Sequence, residues 1–147
     1  MLTQEQRDKL CEIALSWRGT PYRGNACLKH VGCDCLQFLA AVYEEAGLFD
    51  RNAEPDLANN NYSVQAHWHS EDPRYMDGIL RWMTEVDTPL PGDLVMFWIE
   101  AKTFNHSGIV VSWPDKIVNC RAEGVAVNTA ERGVLRRSKK RFFTWKG

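Results

Sequence analysis

Apolar residues recur at intervals of three and four along the first half of this chain and then give way to short runs of strand-like period. Leu10, Ile13, Ala14 and Trp17 fall at i, i+3, i+4 and i+7, one face of a helix. Thr3 followed by Gln6 forms a capping box, in which hydroxyl and amide satisfy free backbone N–H groups at a helix start. Gly19 supplies the left-handed residue that commonly closes one, so a first helix is expected over 4–18. The stretch from Gly19 to Gly32, rich in Gly, Pro, Asn and Cys, has no period and reads as an ordered loop. Leu36, Leu39, Ala40 and Tyr43 form a second stripe, with Asp34 as N-cap and Gly47 as stop, which predicts a helix over 35–46. Residues 48–72 carry Asn59-Asn60-Asn61 and no sustained pattern, a long surface loop of a length that is often functional. From Pro73 onward Met76, Ile79, Leu80 and Met83 give a third helical stripe, which Pro89, Pro91 and Gly92 bring to an end.

Beyond Gly92 the period changes. Strands are expected at Asp93–Ile99, His106–Ser112, Ile117–Arg121, Val125–Thr129 and Arg141–Trp145, separated by turn residues. Their connections are too short for helical crossovers, so the sheet should be antiparallel with helices on one side, an α+β fold. There is no internal repeat or low-complexity tract, and at 147 residues the chain reads as one domain over 1–147.

Composition narrows the function classes. Hydrophobic residues at 44% and charged residues at 25% are ordinary for a water-borne globular domain, and no apolar stretch is long enough for a membrane span. A net charge of -1, with Lys and Arg spread out until Arg136–Arg141, disfavours nucleic acid as a partner. That basic, aromatic run, through Phe142, Phe143 and Trp145, reads as a solvated strand edge guarded by positive charge. Residues Met1 to Arg7 lack the apolar core of a secretory signal, so synthesis in the cytoplasm is expected, and five cysteines there argue against a disulfide framework.

The cysteines are therefore candidates for chemistry. A thiol in the first turn of a helix meets unpaired N–H groups and the positive end of the dipole, which stabilise thiolate and could also hold an oxyanion. Cys35 has that position, although a buried small residue there would look the same. His106 opens a predicted strand, where an imidazole can be held rigidly as a base, whereas His30, His67 and His69 lie in loop-like sequence. A rival reading takes Cys27-x-x-His30-x-x-Cys33-x-Cys35 as a structural zinc site in a binding module. Its spacing lacks the two separated pairs of zinc ribbons and fingers, and a chain of this size does not need metal for its core.

Four stretches together resemble the NlpC/P60 family of cysteine peptidases, in particular its phage-encoded cell-wall branch. They are Gly19-Thr20-Pro21-Tyr22-Arg23-Gly24, Asp34-Cys35-Leu36-Gln37-Phe38, Pro91-Gly92-Asp93-Leu94-Val95 and His106-Ser107-Gly108-Ile109-Val110. The resemblance implies a papain-like α+β fold and a thiol endopeptidase that cuts peptidoglycan stem peptides, typically at a D-glutamyl-diaminopimelate bond. It implies Cys35 as nucleophile, His106 as general base and a polar third residue on the next strand, for which Asn119 fits best. His106 and Asn119 share a face only if the turn through Pro114-Asp115 has an even number of residues; an odd one would bring Val118 or Cys120 round. Tyr22 is the counterpart of a tyrosine lining the cleft, and Asp34 of an acidic residue reading the substrate amine; a packed aromatic and a helix cap are their structural alternatives. Gln37 stands where the family has a small residue, which reshapes the subsite beside Cys35. The resemblance implies no metal or cofactor. It makes peptidoglycan peptide the substrate, phage tail proteins candidate partners, and carriage in a virion or release at lysis the route to the wall. An inactive tail-assembly module is the alternative.

Overall fold

The structure, a computed structural model, describes residues 1–54, 74–99, 104 and 106–146. Beyond residue 54 the expected loop over 48–72, with His67 and His69, lies outside the described residues.

Helix α1 spans Gln4–Ser16 and α2 spans Cys35–Glu45. The predicted capping box is present: Gln6 N donates to Thr3 Oγ1 at 3.1 Å, and Thr3 N donates to Gln6 Oε1 at 2.9 Å. Asp34 caps α2 through Gln37 N at 2.8 Å. The loop between the helices is more regular than its composition suggests. Cys27–Leu28 (β1) and Gly32–Cys33 (β2) form a small antiparallel hairpin whose turn holds His30 at φ 65°.

Helix α3, Arg74–Trp82, is shorter than its stripe. Met83 was expected as its last apolar position but opens strand β3, Met83–Val86, and pairs with Trp145. A residue four beyond Ile79 and a residue starting a half-buried strand look alike in sequence, so periodicity could not separate them. Leu80, expected on the buried stripe, is 44% exposed.

The main sheet contains β3, β4 (Leu94–Trp98), β5 (His106–Ser112), β6 (Lys116–Arg121), β7 (Gly124–Asn128) and β8 (Lys139–Trp145). Their spatial order is β3-β8-β4-β5-β6-β7, and every neighbouring pair is antiparallel. The expected α+β architecture is what the chain adopts. Strand alternation divides the core in two. Leu94, Met96, Ile109, Val118, Cys120 and Phe143 face α1 and α2 with Leu10, Phe38, Val42 and Tyr43. Val95, Phe97, Val110 and Ile117 face the other way and are covered by Ala130 and by Leu135 of a short helix α4, Gly133–Arg137, which the sequence did not reveal.

The basic run departs from its expected role. β8 lies inside the sheet between β3 and β4, so its cations guard no edge. They are held by neighbours instead: Arg141 pairs with Glu85 at 2.7 Å, Lys139 stands over the Trp98 ring at 5.3 Å, and Lys140 Nζ donates to the Arg136 and Ser138 carbonyls.

The Pro91-Gly92-Asp93 turn ties α1, α2 and the sheet together. Asp93 accepts from Arg7 Nη1 at 2.8 Å and from Leu90 N at 2.8 Å, and the Arg7 side chain is itself buried. Gly92 accepts a bond from Tyr43 Oη at 2.7 Å and donates to the Val110 carbonyl at 2.8 Å. Its φ is +91°, and a Cβ there would approach Arg7 Cα at 3.2 Å, so both conformation and space favour glycine.

Candidate active site

The relation between His106 and Asn119 is settled by a bulge. The turn from Ser112 to Lys116 holds Trp113, Pro114 and Asp115, an odd loop that by itself would turn Val118 or Cys120 toward the face of His106. Between Val110 and Ser112 the register shifts: Ser112 pairs with Lys116, yet Val110 pairs with Ile117 and Ile109 with Val118. Val111 is the extra residue, and this one-residue insertion restores the parity the odd turn removed. His106 Nε2 and Asn119 Oδ1 lie 2.9 Å apart, and both residues are fully buried.

Asn119 is held from its other side. Its Nδ2 donates to Asn128 Oδ1 at 2.9 Å, so its carbonyl oxygen is the atom turned to the imidazole. A carbonyl oxygen only accepts, so in this orientation a neutral His106 has its proton on Nε2 and its lone pair on Nδ1. The ring packs beside Phe97, its cross-strand neighbour, with centroids 6.0 Å apart. Gly108 makes room for the pair: a Cβ there would overlap Ile117 Cγ2 and stand 3.3 Å from Asn119 Cβ. Gly108→Ala is therefore expected to cost about 1–3 kcal/mol by overpacking, read from urea unfolding. An unchanged midpoint would mean that Ile117 gives way freely.

Cys35 is the first residue of α2 and is buried. The helix packs on β5 and β6, the strands that carry His106 and Asn119. Asp34, just before it, is buried with both carboxylate oxygens engaged: Oδ1 accepts from Gln37 N, and Oδ2 from Asn25 N at 2.7 Å. It thus fixes the start of α2 and the loop ahead of it. Tyr22 is half-buried and bridges to Cys33 beside the small hairpin. Gln37 is buried, and its Oε1 accepts from Arg51 Nη1 at 2.8 Å. Arg51 also donates to Glu44 Oε1 at 3.1 Å and to Cys27 Sγ at 3.2 Å, and so pins the single 3-10 turn Arg51–Ala53 against α2.

The four residues of the zinc reading have separate surroundings. Cys27 is bound by Arg51 and lies 3.7 Å from the Gln37 carbonyl; burial raises its thiol pKa, with Arg51 pulling the other way. His30 is exposed in the hairpin turn, its backbone N–H donating to Thr20 Oγ1. Cys33 Sγ donates to Cys120 Sγ at 3.7 Å, and that bond, with burial, holds the Cys33 thiol far above its ordinary range. Among the described residues no three His, Cys, Asp or Glu side chains converge as a metal site.

Two residues of this region carried no sequence signal of their role. Asn128 lies at the end of a predicted strand with nothing to distinguish it from a solvated polar residue. Arg51 lies in a stretch read as loop, and only the fold brings it to Gln37.

No protein-family model matches the chain, and no curated protein matches it in sequence. Among solved structures it is similar to the NlpC/p60 domain of the peptidoglycan hydrolase SagA, with a TM-score of 0.58 and 17% sequence identity. The similarity covers 92% of this chain and 96% of that one. At that identity the likeness is one of fold, and the expected NlpC/P60-type α+β fold is the one present.

Proposed function

We propose that this protein is a thiol hydrolase of the NlpC/P60 type that cleaves peptidoglycan stem peptides. The observation that carries the reading is the buried His106–Asn119 hydrogen bond, on a fold similar to a domain of a peptidoglycan hydrolase. A histidine with an amide on one ring nitrogen and a basic lone pair on the other is the pattern of a Cys-His-Asn site. Cys35 and His106 stand at the first positions of their elements, α2 and β5.

In the proposed mechanism His106 takes the proton of Cys35, and the thiolate attacks an amide carbonyl. The Cys35 N–H and Tyr22 hold the oxyanion, and His106 protonates the leaving amine. Water, deprotonated by the same imidazole, then hydrolyses the thioester and frees the thiol. Every group needed is a side chain or backbone amide of the chain. We place the scissile bond at the D-glutamyl-diaminopimelate position, with Asp34 reading a free amine through lone pairs left by its two backbone bonds. Gln37 would shape the neighbouring subsite through Arg51, the residue its amide holds. The phage-type branch, tail proteins as partners and delivery with a virion or at lysis belong to the same proposal.

The test is digestion of purified stem peptides with mass spectrometry of the products, run with and without EDTA. New amine and carboxyl ends at one bond, formed equally with chelator present, are expected. Intact substrate together with stoichiometric zinc in the purified protein would sink the reading in favour of a metal-stabilised binding module.

A further inference from the structure

The amide that faces an imidazole has two nearly isosteric ends. With its oxygen toward Nε2, Asn119 requires a proton on that nitrogen and leaves Nδ1 basic. With its NH2 group there instead, it would require Nε2 to accept and would move the proton to Nδ1. The first orientation gives a base at Nδ1 and the second abolishes it. A single hydrogen bond to the ring cannot make that choice, because the proton on the ring and the orientation of the amide adjust to each other.

We propose that Asn128 makes the choice, as a positioning residue that acts on His106 through Asn119. It stands at the last position of β7, the edge strand, and the register that pairs Asn119 with Ala126 and Ile117 with Asn128 makes it the diagonal neighbour of Asn119 on one face. Its Oδ1 accepts from Asn119 Nδ2 at 2.9 Å, and Asn119 Oδ1 is 2.9 Å from His106 Nε2. The imidazole and the first amide are buried, whereas Asn128 is half-buried. A chain of polar groups thus runs from the ring to the sheet edge, and each bond polarises the next. This role rests on the Cys-His reading for its purpose, but the tautomer it sets is a property of the folded protein without substrate.

The experiment is 15N NMR of histidine-labelled protein at a pH where His106 is neutral, with its signals identified by their loss in His106→Gln. Wild type should show a protonated Nε2 and an unprotonated Nδ1. Asn128→Ala should lose that single tautomer, and peptide turnover should fall by roughly a hundredfold. Asn128→Asp, which offers only acceptor oxygens to Asn119 Nδ2, should keep both the tautomer and most of the turnover, and it also serves if the alanine variant does not fold. The proposal is overturned if Asn128→Ala keeps the wild-type ring shifts, or if Asn128→Asp folds but loses them. A fall in turnover with unchanged shifts would likewise overturn it, since Asn128 would then be only structural. Wild type that shows the tautomer but cleaves no stem peptide would leave this assignment standing and count against the peptidase.

Discussion

Cys35→Ala is expected to lower stem-peptide hydrolysis by at least about 10⁴-fold while the protein still folds. The size of the effect follows from the role: a nucleophile that forms the covalent intermediate cannot be replaced by its neighbours, and the remaining oxyanion donors retain only their own share of catalysis. The small structural effect follows from the position. Alanine suits the first turn of a helix, and Asp34, which caps α2, is untouched. The lost sulfur leaves a gap in a core formed by Cys33, Cys120 and Val118 among others, a cost on the order of 1 kcal/mol. Turnover by the purified variant would be compared with wild type at matched folded concentration, read from thermal unfolding. Retention of more than a small fraction of activity would remove Cys35 from the mechanism.

Arg7→Met should produce the largest loss of stability, roughly 3–5 kcal/mol. Arg7 and Asp93 meet at 2.8 Å with side chains 8% and 2% exposed, so removing the guanidinium leaves a buried carboxylate whose remaining partner among the described residues is the Leu90 N–H. Arg7 also donates to the Pro91 carbonyl at 3.1 Å, and that acceptor is stranded too. For a domain of 147 residues this corresponds to a fall of roughly 10–15 °C in Tm. The double variant Arg7→Met, Asp93→Asn should recover part of the loss, because it removes the isolated charge. A single variant within 1 kcal/mol of wild type would mean that water reaches Asp93 and the pair is not buried in solution.

That ion pair also explains a motif. Pro91-Gly92-Asp93 reads in sequence as a breaker ahead of a strand, and in the fold it is where α1, α2 and β5 meet the turn. Both N-terminal helices, of which α2 carries Cys35, were legible because caps and stripes are local: Thr3 with Gln6, and Asp34 ahead of Cys35, act within four residues. β5 is legible at its observed bounds for a related reason, as the β-branched run Ile109-Val110-Val111 flanked by small and polar residues. What escaped depended on partners distant in sequence. β3 exists because Trp145 and Phe143 pair with it, and α4 because Leu135 finds the second face of the sheet. Asn119 could be nominated but its direction could not, since it turns on the bulge at Val111, which leaves no mark in the residues around it. Nor could Asn128 be singled out, because its value lies only in what Asn119 does with it.

The placement of β8 has a consequence for how the molecule comes into being on the ribosome. Among the described residues β3 pairs with β8 alone, so residues 83–86 have no strand partner until 139–145 have been made. The same late segment brings Trp145, which stacks on Tyr43 of α2 at 5.0 Å and on Trp82 at 5.7 Å. A nascent chain that has reached Asn128 already holds every residue of the proposed relay, yet it lacks the wedge that joins its two halves. Because distant pairing is slow and tends to close late, the six-stranded sheet is complete only once β8 goes in.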